Sequence, residues 1–475
     1  MPTPAPTSPT AAHPTEVLLV LLLAGVSFAL SQTLVIPALP QIGEDLHAST
    51  TATSWLLTAF LLSASIATPI VGKLGDIYGK GRVLTSVLLV FSVGAIVCAL
   101  GRTIGVVIAG RVLQGVAGGV FPLAFGIVRD TFPRERMAAG LGMVSAIFGI
   151  GGGIGLPLSG VIVDNLDTQW LFRVNLVALP AALAAYLLIP PLPSGHRPRI
   201  DWLGAALLSV ALGAILLGVS EADEWGWGSP ANVGLIGGGL VFAALFLVVE
   251  ARISEPLIDL AVLRQPAVAT TNLTAFMVGL AMFASFLLIP QLAQAPERTG
   301  YGFGASVSKA GLLLLPAALA QLATGALAGR LGTRIGFRAV LAIGAALTSA
   351  SFVVLAAAHE FEVEILAAGA LLGAGISFAF AGMANLIVGA VPQSEVGIAT
   401  GINTVMRTVG GSFGAAIATA ILAGSAGAGG LPTEGAYTAA FAFSAVAGLA
   451  AVGAALLVPR PPAVHAGASP LTEST

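Results

Sequence analysis

Along most of the chain, apolar residues run on for about twenty positions at a time, a length that lets a helix cross the hydrocarbon core of a bilayer. Short polar stretches separate these runs and hold nearly all of the charge. Runs of this kind begin near Val17, Trp55, Leu84, Val106, Ala138, Trp170, Trp202, Val233, Val268, Ala305, Ala339, Ile365, Gly397 and Ala436, so the pattern predicts fourteen spans. Lipid offers no water to the backbone, so each span is predicted to be helical; a barrel would need short alternating strands instead. The first 15 residues are rich in Pro and Thr and carry no Lys or Arg, which predicts a disordered tail rather than a signal peptide. The stretch 460–475 reads the same way.

Composition sharpens this picture. Hydrophobic residues make up 56% of the 475 and charged residues only 9%, against roughly 25% charged in soluble proteins. Soluble enzymes, nucleic-acid binders and secreted scaffolds are excluded, because the net charge is only −2 and the single Cys98 supports neither an internal disulfide nor a thiolate metal cluster. No cofactor and no nucleic-acid partner are expected. His13, His47, His196, His359 and His465 all fall outside the spans and build no interfacial nucleophile–base or metal cluster, so an enzyme is not expected either.

Loop charges give the orientation. With the N-terminus inside, the inward segments hold Lys73, Lys80, Arg82, Arg129, Arg134, Arg136, Arg197, Arg199, Arg252, Arg264, Arg330, Arg334, Arg338 and Arg460. The other side holds only Arg102, Arg173, Arg298 and Lys309. Both termini are therefore expected in the cytoplasm, with the chain in the plasma membrane.

Three landmarks recur. Leu34-Val-Ile-Pro37, expected late in helix 1, is similar to Leu287-Leu-Ile-Pro290 in helix 9. The loop from Gly72 to Leu84 is similar to that from Gly329 to Leu341, and Pro133 matches Pro392. A slowly drifting spacing between copies predicts a duplicated six-helix unit. The expected organisation is a tail over 1–15, a bundle over 16–195, two inserted helices and linkers over 196–265, a second bundle over 266–459 and a tail over 460–475. Repeats around a midplane cavity are a transporter arrangement.

At these residues the chain resembles the major facilitator superfamily, specifically its fourteen-helix drug:proton antiporter branch. The resemblance implies an all-α fold of two pseudo-symmetric six-helix bundles plus two inserted helices. Gly72, Leu74, Asp76, Gly79, Lys80, Arg82 and Leu84 keep the family's order in the helix 2–3 loop, which the resemblance makes a cytoplasmic latch. Arg111-Val-Leu-Gln114-Gly-Val-Ala-Gly-Gly119 is similar to the family's second motif and implies a role for Arg111 in proton coupling. A charge within an apolar span costs at least ~2.5 kcal/mol, so Arg111 and Arg407 are site candidates on physical grounds as well. Helix 5, with Gly151, Gly155, Pro157 and Gly160, resembles the antiporter signature, with its proline one place late and Ser159 in place of a glycine. Closely spaced glycines there predict tight helix packing.

Helix 1 departs from the branch, with Ser31 where an aspartate is usual and Ile36 where an asparagine is usual. None of the 22 acidic residues falls mid-span, and Arg cannot titrate usefully. Coupling would then run through Asp76, Asp130, Asp45, Asp164 or the substrate's own proton, with Arg111 and Arg407 as coupling or gating residues. The inner cavity is expected to be formally positive and walled by Ser31, Gln32, Gln114, Phe121, Phe286, Asn385 and Asn403, with Asn272 and Gln321 among the nearby polar groups and Phe283 among further apolar candidates. That lining predicts a neutral or anionic lipophilic substrate. The resulting expectation is a monomeric secondary transporter exporting small amphiphilic compounds, such as drugs or antibiotics, by proton antiport. The alternative is metabolite uptake, or an uncoupled facilitator, on the same fold.

Overall fold

The computed structural model describes residues 14–189, 201–425 and 431–459. Residues 1–13 and 460–475 of the expected tails, the inward Arg197 and Arg199, and the expected 195/196 boundary lie outside the described residues, while Pro14 and Thr15, expected in the tail, already belong to the first helix. Among the described residues, fourteen long helices carry the fold: α1 Pro14–Thr33, α2 Thr50–Tyr78, α3 Lys80–Leu100, α4 Ile104–Thr131, α5 Arg134–Asn165, α6 Trp170–Leu188, α7 Trp202–Ser220, α8 Pro230–Glu250, α9 Pro266–Gln294, α10 Ser308–Ile335, α11 Phe337–Ala357, α12 Glu362–Ala390, α13 Val396–Ala423 and α14 Glu434–Leu457. All but α5 meet the length and apolarity of a membrane span on their described residues alone, and α5 is itself 32 residues long. This is a multi-pass membrane protein.

Local chemistry sets the helix ends. Ser49, Asp201, Ser229 and Thr433 each cap a helix by accepting a backbone N–H three residues on. The α2–α3 and α10–α11 turns close on Gly79 (φ 96°) and Gly336 (φ 87°), a left-handed backbone that a side chain resists. These glycines occupy matching places in the two similar loops, so the repeat read from sequence reappears as one backbone conformation used twice. Pro133 and Pro392 likewise share nearly identical φ and ψ ahead of α5 and α13.

Helix 1 required a correction. It ends at Thr33, and Leu34–Ala38 form turns before a short helix, Leu39–Asp45. Pro37 has no N–H to give to the Thr33 carbonyl and its ring crowds that carbonyl, so the helix stops. In the second copy Pro290 remains inside α9, which continues to Gln294.

One apolar core is drawn from α9 to α14. A second is drawn mainly from α1 to α6, joined by Ala384, Ile387 and Val396 from the facing ends of α12 and α13. The inserted α7 and α8 pack on each other, and α7 also packs against both α2 and α13. Leu183, Tyr186, Leu187, Leu240, Val241, Leu449 and Leu457 stand exposed on the outer surface, as a lipid-facing belt requires. The 72–84 and 329–341 segments lie at the same end of the molecule. Lys80 bonds Asp130 at the foot of α4, and Gly329 abuts Ala138 one turn into α5.

Candidate functional site

Two features dominate the space between the helix groups: one sealed end and one cavity. At the sealed end, Gly72 on α2 meets Gly397 on α13 backbone to backbone, and a Cβ on either would collide with the other's carbonyl. That approach lets the buried Asp76 carboxylate accept the N–H groups of Gly397 at 3.3 Å and Ile398 at 3.1 Å. These are unsatisfied donors at a helix start, where partial positive charge favours a carboxylate. Lys80 lies 3.3 Å from Asp76 and 3.0 Å from Asp130. Asp130 accepts Gln393 Nε2 at 2.7 Å, and Arg129 donates to the Val391 carbonyl at 2.9 Å. The predicted loop residues Gly72, Asp76, Gly79 and Lys80, with Asp130, therefore converge and tie α2, α3 and α4 to α12 and α13. Arg82 is exposed and outside this knot.

The cavity, about 330 Å³, occupies the region from mid-molecule toward the opposite end. Its walls include Gln32 and Thr33 of α1, Leu57, Thr58 and Leu61 of α2, Met282, Phe283, Phe286 and Leu287 of α9, Gln321 of α10 and Ile376 of α12. The α13 wall is Thr408, Gly411, Ser412, Ala415, Ala416 and Thr419, and the inserted α7 contributes Val219 and Ser220. Among the described residues, no charged side chain lines it. Thr408, Ser412 and Thr419 each donate to a carbonyl one turn back in their own helix, so their hydroxyls soften the wall without demanding a partner. Gln321 differs: its Nε2 is buried with no acceptor among the described residues.

Of the residues expected as substrate contacts, Gln32 and Phe286 line this cavity, as do Gln321 and Phe283, expected near it. The other five lie away from it, each engaged elsewhere. Arg111, wholly buried, donates from Nη1 to the Ser31 hydroxyl at 2.9 Å, the Ser31 carbonyl at 3.1 Å and Gln114 Oε1 at 2.9 Å, and from Nε to the Leu56 carbonyl at 3.0 Å. Its guanidinium stacks 4.0 Å over Phe60. Ser31 and Gln114 are thus occupied in holding Arg111. Phe121 belongs to an aromatic cluster with Phe28 and Phe125. Asn385 donates to the Ala381 carbonyl of its own helix, and Asn403 to Asn272 Oδ1 at 3.0 Å, tying α13 to α9.

The expected positive cavity also required correction. Arg111 points into the α1–α2–α4 contact, and Arg407 stacks 4.2 Å over Phe380 beside a small void of about 30 Å³ next to the main cavity. The glycines of α5 serve close packing. Gly151 meets the Ala29 carbonyl region, Gly155 faces Thr33, and Gly160 faces Ser308 of the α10 segment. Thr33 Oγ1 donates across to the Gly151 carbonyl at 2.5 Å. Pro157 lies inside the same helix. Among the other acids named as proton carriers, Asp45 accepts from Thr168 at 2.6 Å and Asp164 from Ser308 at 3.4 Å, both exposed at the end opposite the seal. The cavity residues missed from sequence left one readable signal, a hydroxyl stripe on α13 at Thr404, Thr408 and Ser412, spaced one turn apart.

Residues 21–248 and 271–474 match the model of the Major Facilitator Superfamily. The chain belongs to the major facilitator superfamily. An uncharacterized transporter of this superfamily, Rv1877 of Mycobacterium tuberculosis, is 31% identical over 431 residues, which cover 87% of this chain and 61% of the relative. The chain thus spans about three-fifths of that relative's length. The tetracenomycin C resistance and export protein of Streptomyces glaucescens is 28% identical over 89% of this chain and 78% of its own length. The multidrug transporter protein MdtP of Bacillus subtilis is 27% identical over 83% and 72%. Among solved structures, the human organic anion transporter MFSD10 (TETRAN) superposes with a TM-score of 0.68 over 94% of this superfamily member and 100% of its own chain. At 17% identity that likeness concerns the fold alone.

Proposed function

We propose that this chain is a secondary transporter of the plasma membrane that exports small, uncharged amphiphilic compounds by alternating access, with protons moving inward in exchange. The observation that carries the reading is the juxtaposition of the uncharged 330 Å³ cavity, walled by helices of both halves, with the ion-bonded seal beneath it. Basic residues crowd the sealed end, among them Lys73, Lys80, Arg82, Arg129 and Arg134, so that end is read as cytoplasmic with both termini inside. The structure then corresponds to an outward-facing state, and the bundles over 16–195 and 266–459 are the units that rock, in a protein that works as a monomer. Export agrees with the name of the Streptomyces relative, a resistance and export protein, and the Bacillus relative is named a multidrug transporter.

The wall chemistry points to the substrate class. Phe283, Phe286 and Met282 offer an apolar, polarisable surface, while Gln321 offers an unused N–H donor. A lipophilic molecule bearing a carbonyl or ether oxygen suits both. Among the described residues, a lipophilic cation finds no carboxylate there. The same lack of a titratable wall residue favours one alternative, an uncoupled facilitator or uptake system on this fold.

Reconstitution in proteoliposomes tests both readings. With an imposed pH gradient, neutral acceptor-bearing compounds should accumulate and release protons on addition, and Arg111→Ala should abolish this. Transport indifferent to the pH gradient selects the facilitator. Strong preference for ethidium-like cations refutes the substrate class.

A further inference from the structure

The inserted helices bring together two carboxylates for which the transport cycle above has no use. Asp201 caps α7, its Oδ1 accepting the Gly204 N–H at 2.9 Å. Glu250 ends α8, its Oε2 accepting the Ile258 N–H at 3.1 Å. The remaining oxygens, Asp201 Oδ2 and Glu250 Oε1, are buried without a hydrogen-bond partner among the described residues. They converge on one point: both are atoms that a Cβ on Gly204 would strike. Glu250 is only 3% exposed, so its orphan oxygen is aimed at Asp201 from a buried position.

Ionised carboxylates only accept hydrogen bonds, so two of them face to face in a dry site repel. One shared proton removes a charge and turns the contact into a hydrogen bond between the orphan oxygens. Ca²⁺ or Mg²⁺ would want roughly six or more oxygen ligands, and the site leaves two open. The proton is the cation that fits. Among the described residues, the other charges facing this region are Lys73 of α2, held on the Pro256 carbonyl at 3.2 Å, and beyond it Glu395, which faces both Lys73 and Asp259.

A short path runs from this pair to the seal. Ile258, whose N–H Glu250 holds, is buried in an apolar cluster with Ala205, Leu257 and Ile398. Ile398 is the residue whose N–H Asp76 holds. Lys73, one turn before Asp76, grips the same linker at Pro256.

We propose that Asp201 and Glu250 form a proton-binding site that sets the strength of the cytoplasmic closure; its sidedness rests on the orientation proposed above. With the shared proton in place, the 251–258 linker is braced against α2 and α13. Without it the carboxylates separate, Ile258 is released and the closure loosens. The closed state therefore has the higher proton affinity. Its extra stability is present at low pH and is lost as pH rises through the titration of the closed pair.

The test uses the full chain in lipid, with Cys98→Ala and spin labels on Glu135→Cys and Arg334→Cys, exposed positions at the sealed ends of α5 and α10. Electron–electron distance measurements from about pH 6 to about pH 9 should show the closed-to-open ratio falling about tenfold. Glu250→Gln keeps an acceptor for Ile258 and offers Asp201 an N–H, so it should stay closed throughout. Gly204→Ala, which pushes the two oxygens apart while retaining both, should flatten the response. In infrared spectra, a protonated-carboxyl band present at low pH should be missing from Glu250→Gln. A flat wild-type profile, or a wild-type profile in Glu250→Gln, overturns the proposal. Because these readouts follow conformation and protonation, their failure leaves the export reading standing. Absence of transport with the pH response intact would sink the export reading alone.

Discussion

The Asp76 carboxylate accepts the backbone N–H of Ile398 at 3.1 Å, so a side chain near the foot of α2 caps the start of α13 across the boundary between the two halves. Hydrogen bonds to a charged acceptor contribute roughly 1.5–3 kcal/mol each. Asp76→Ala is therefore expected to shift the closed state toward open by about tenfold or more. Alkylation of a cysteine replacing Thr404, by an impermeant reagent on the sealed side, measures this. An unchanged alkylation rate would show that the seal does not depend on this contact.

Gly72→Val tests the same closure without touching a charge. Its Cβ would meet the Gly397 carbonyl, so α2 and α13 must part. The alkylation rate should rise as in Asp76→Ala. The double variant should exceed either single variant by far less than their combined effect, because both act on one contact.

Arg111 holds three residues on three helices through directed N–H groups and a stacked ring. Arg111→Lys keeps the charge but not the planar fork. Loss of the bonds to Ser31, Leu56 and Gln114 should lower thermal stability in detergent and reduce transport nearly as much as Arg111→Ala. Full activity in the lysine variant would mean that charge alone matters at this position.

Gln321 should discriminate substrates by their acceptors. Gln321→Leu removes the unused N–H and should raise KM for carbonyl-bearing compounds roughly five- to thirtyfold, as expected for about 1–2 kcal/mol. Hydrocarbon-like compounds of similar size should be unaffected. Equal losses for both classes would place Gln321 in packing.

Much of the framework was legible in the chain because lipid enforces it. Every span must satisfy its own backbone, so apolar length alone located the fourteen helices. The closing loop was legible through its resemblance to a family motif: Gly72, Asp76, Gly79 and Lys80 keep that motif's order, and in the structure they form a tight turn and a near-sequence ion pair. Its partner was not legible. Asp76 finds the N–H groups of Gly397 and Ile398, more than three hundred residues along the chain, only once two helices cross. The second loop copy marks the limit of the repeat, with Thr333 in place of Asp76 donating to the Arg330 carbonyl of its own helix.

Which side chains face the cavity lay beyond the sequence. These helices are apolar on all sides, so periodicity does not fix their rotation about their own axes. Ser31 and Gln32 show the consequence: successive helical residues point about 100° apart, and one braces Arg111 while the other meets the cavity. The sequence by itself determined where the long apolar helices fall and where the chain turns between them, and the resemblance of one loop to a known motif marked the end that closes. Packing among the fourteen helices decided which polar groups were used up internally and which were left facing open space, because each helix's rotation depends on neighbours distant in the chain.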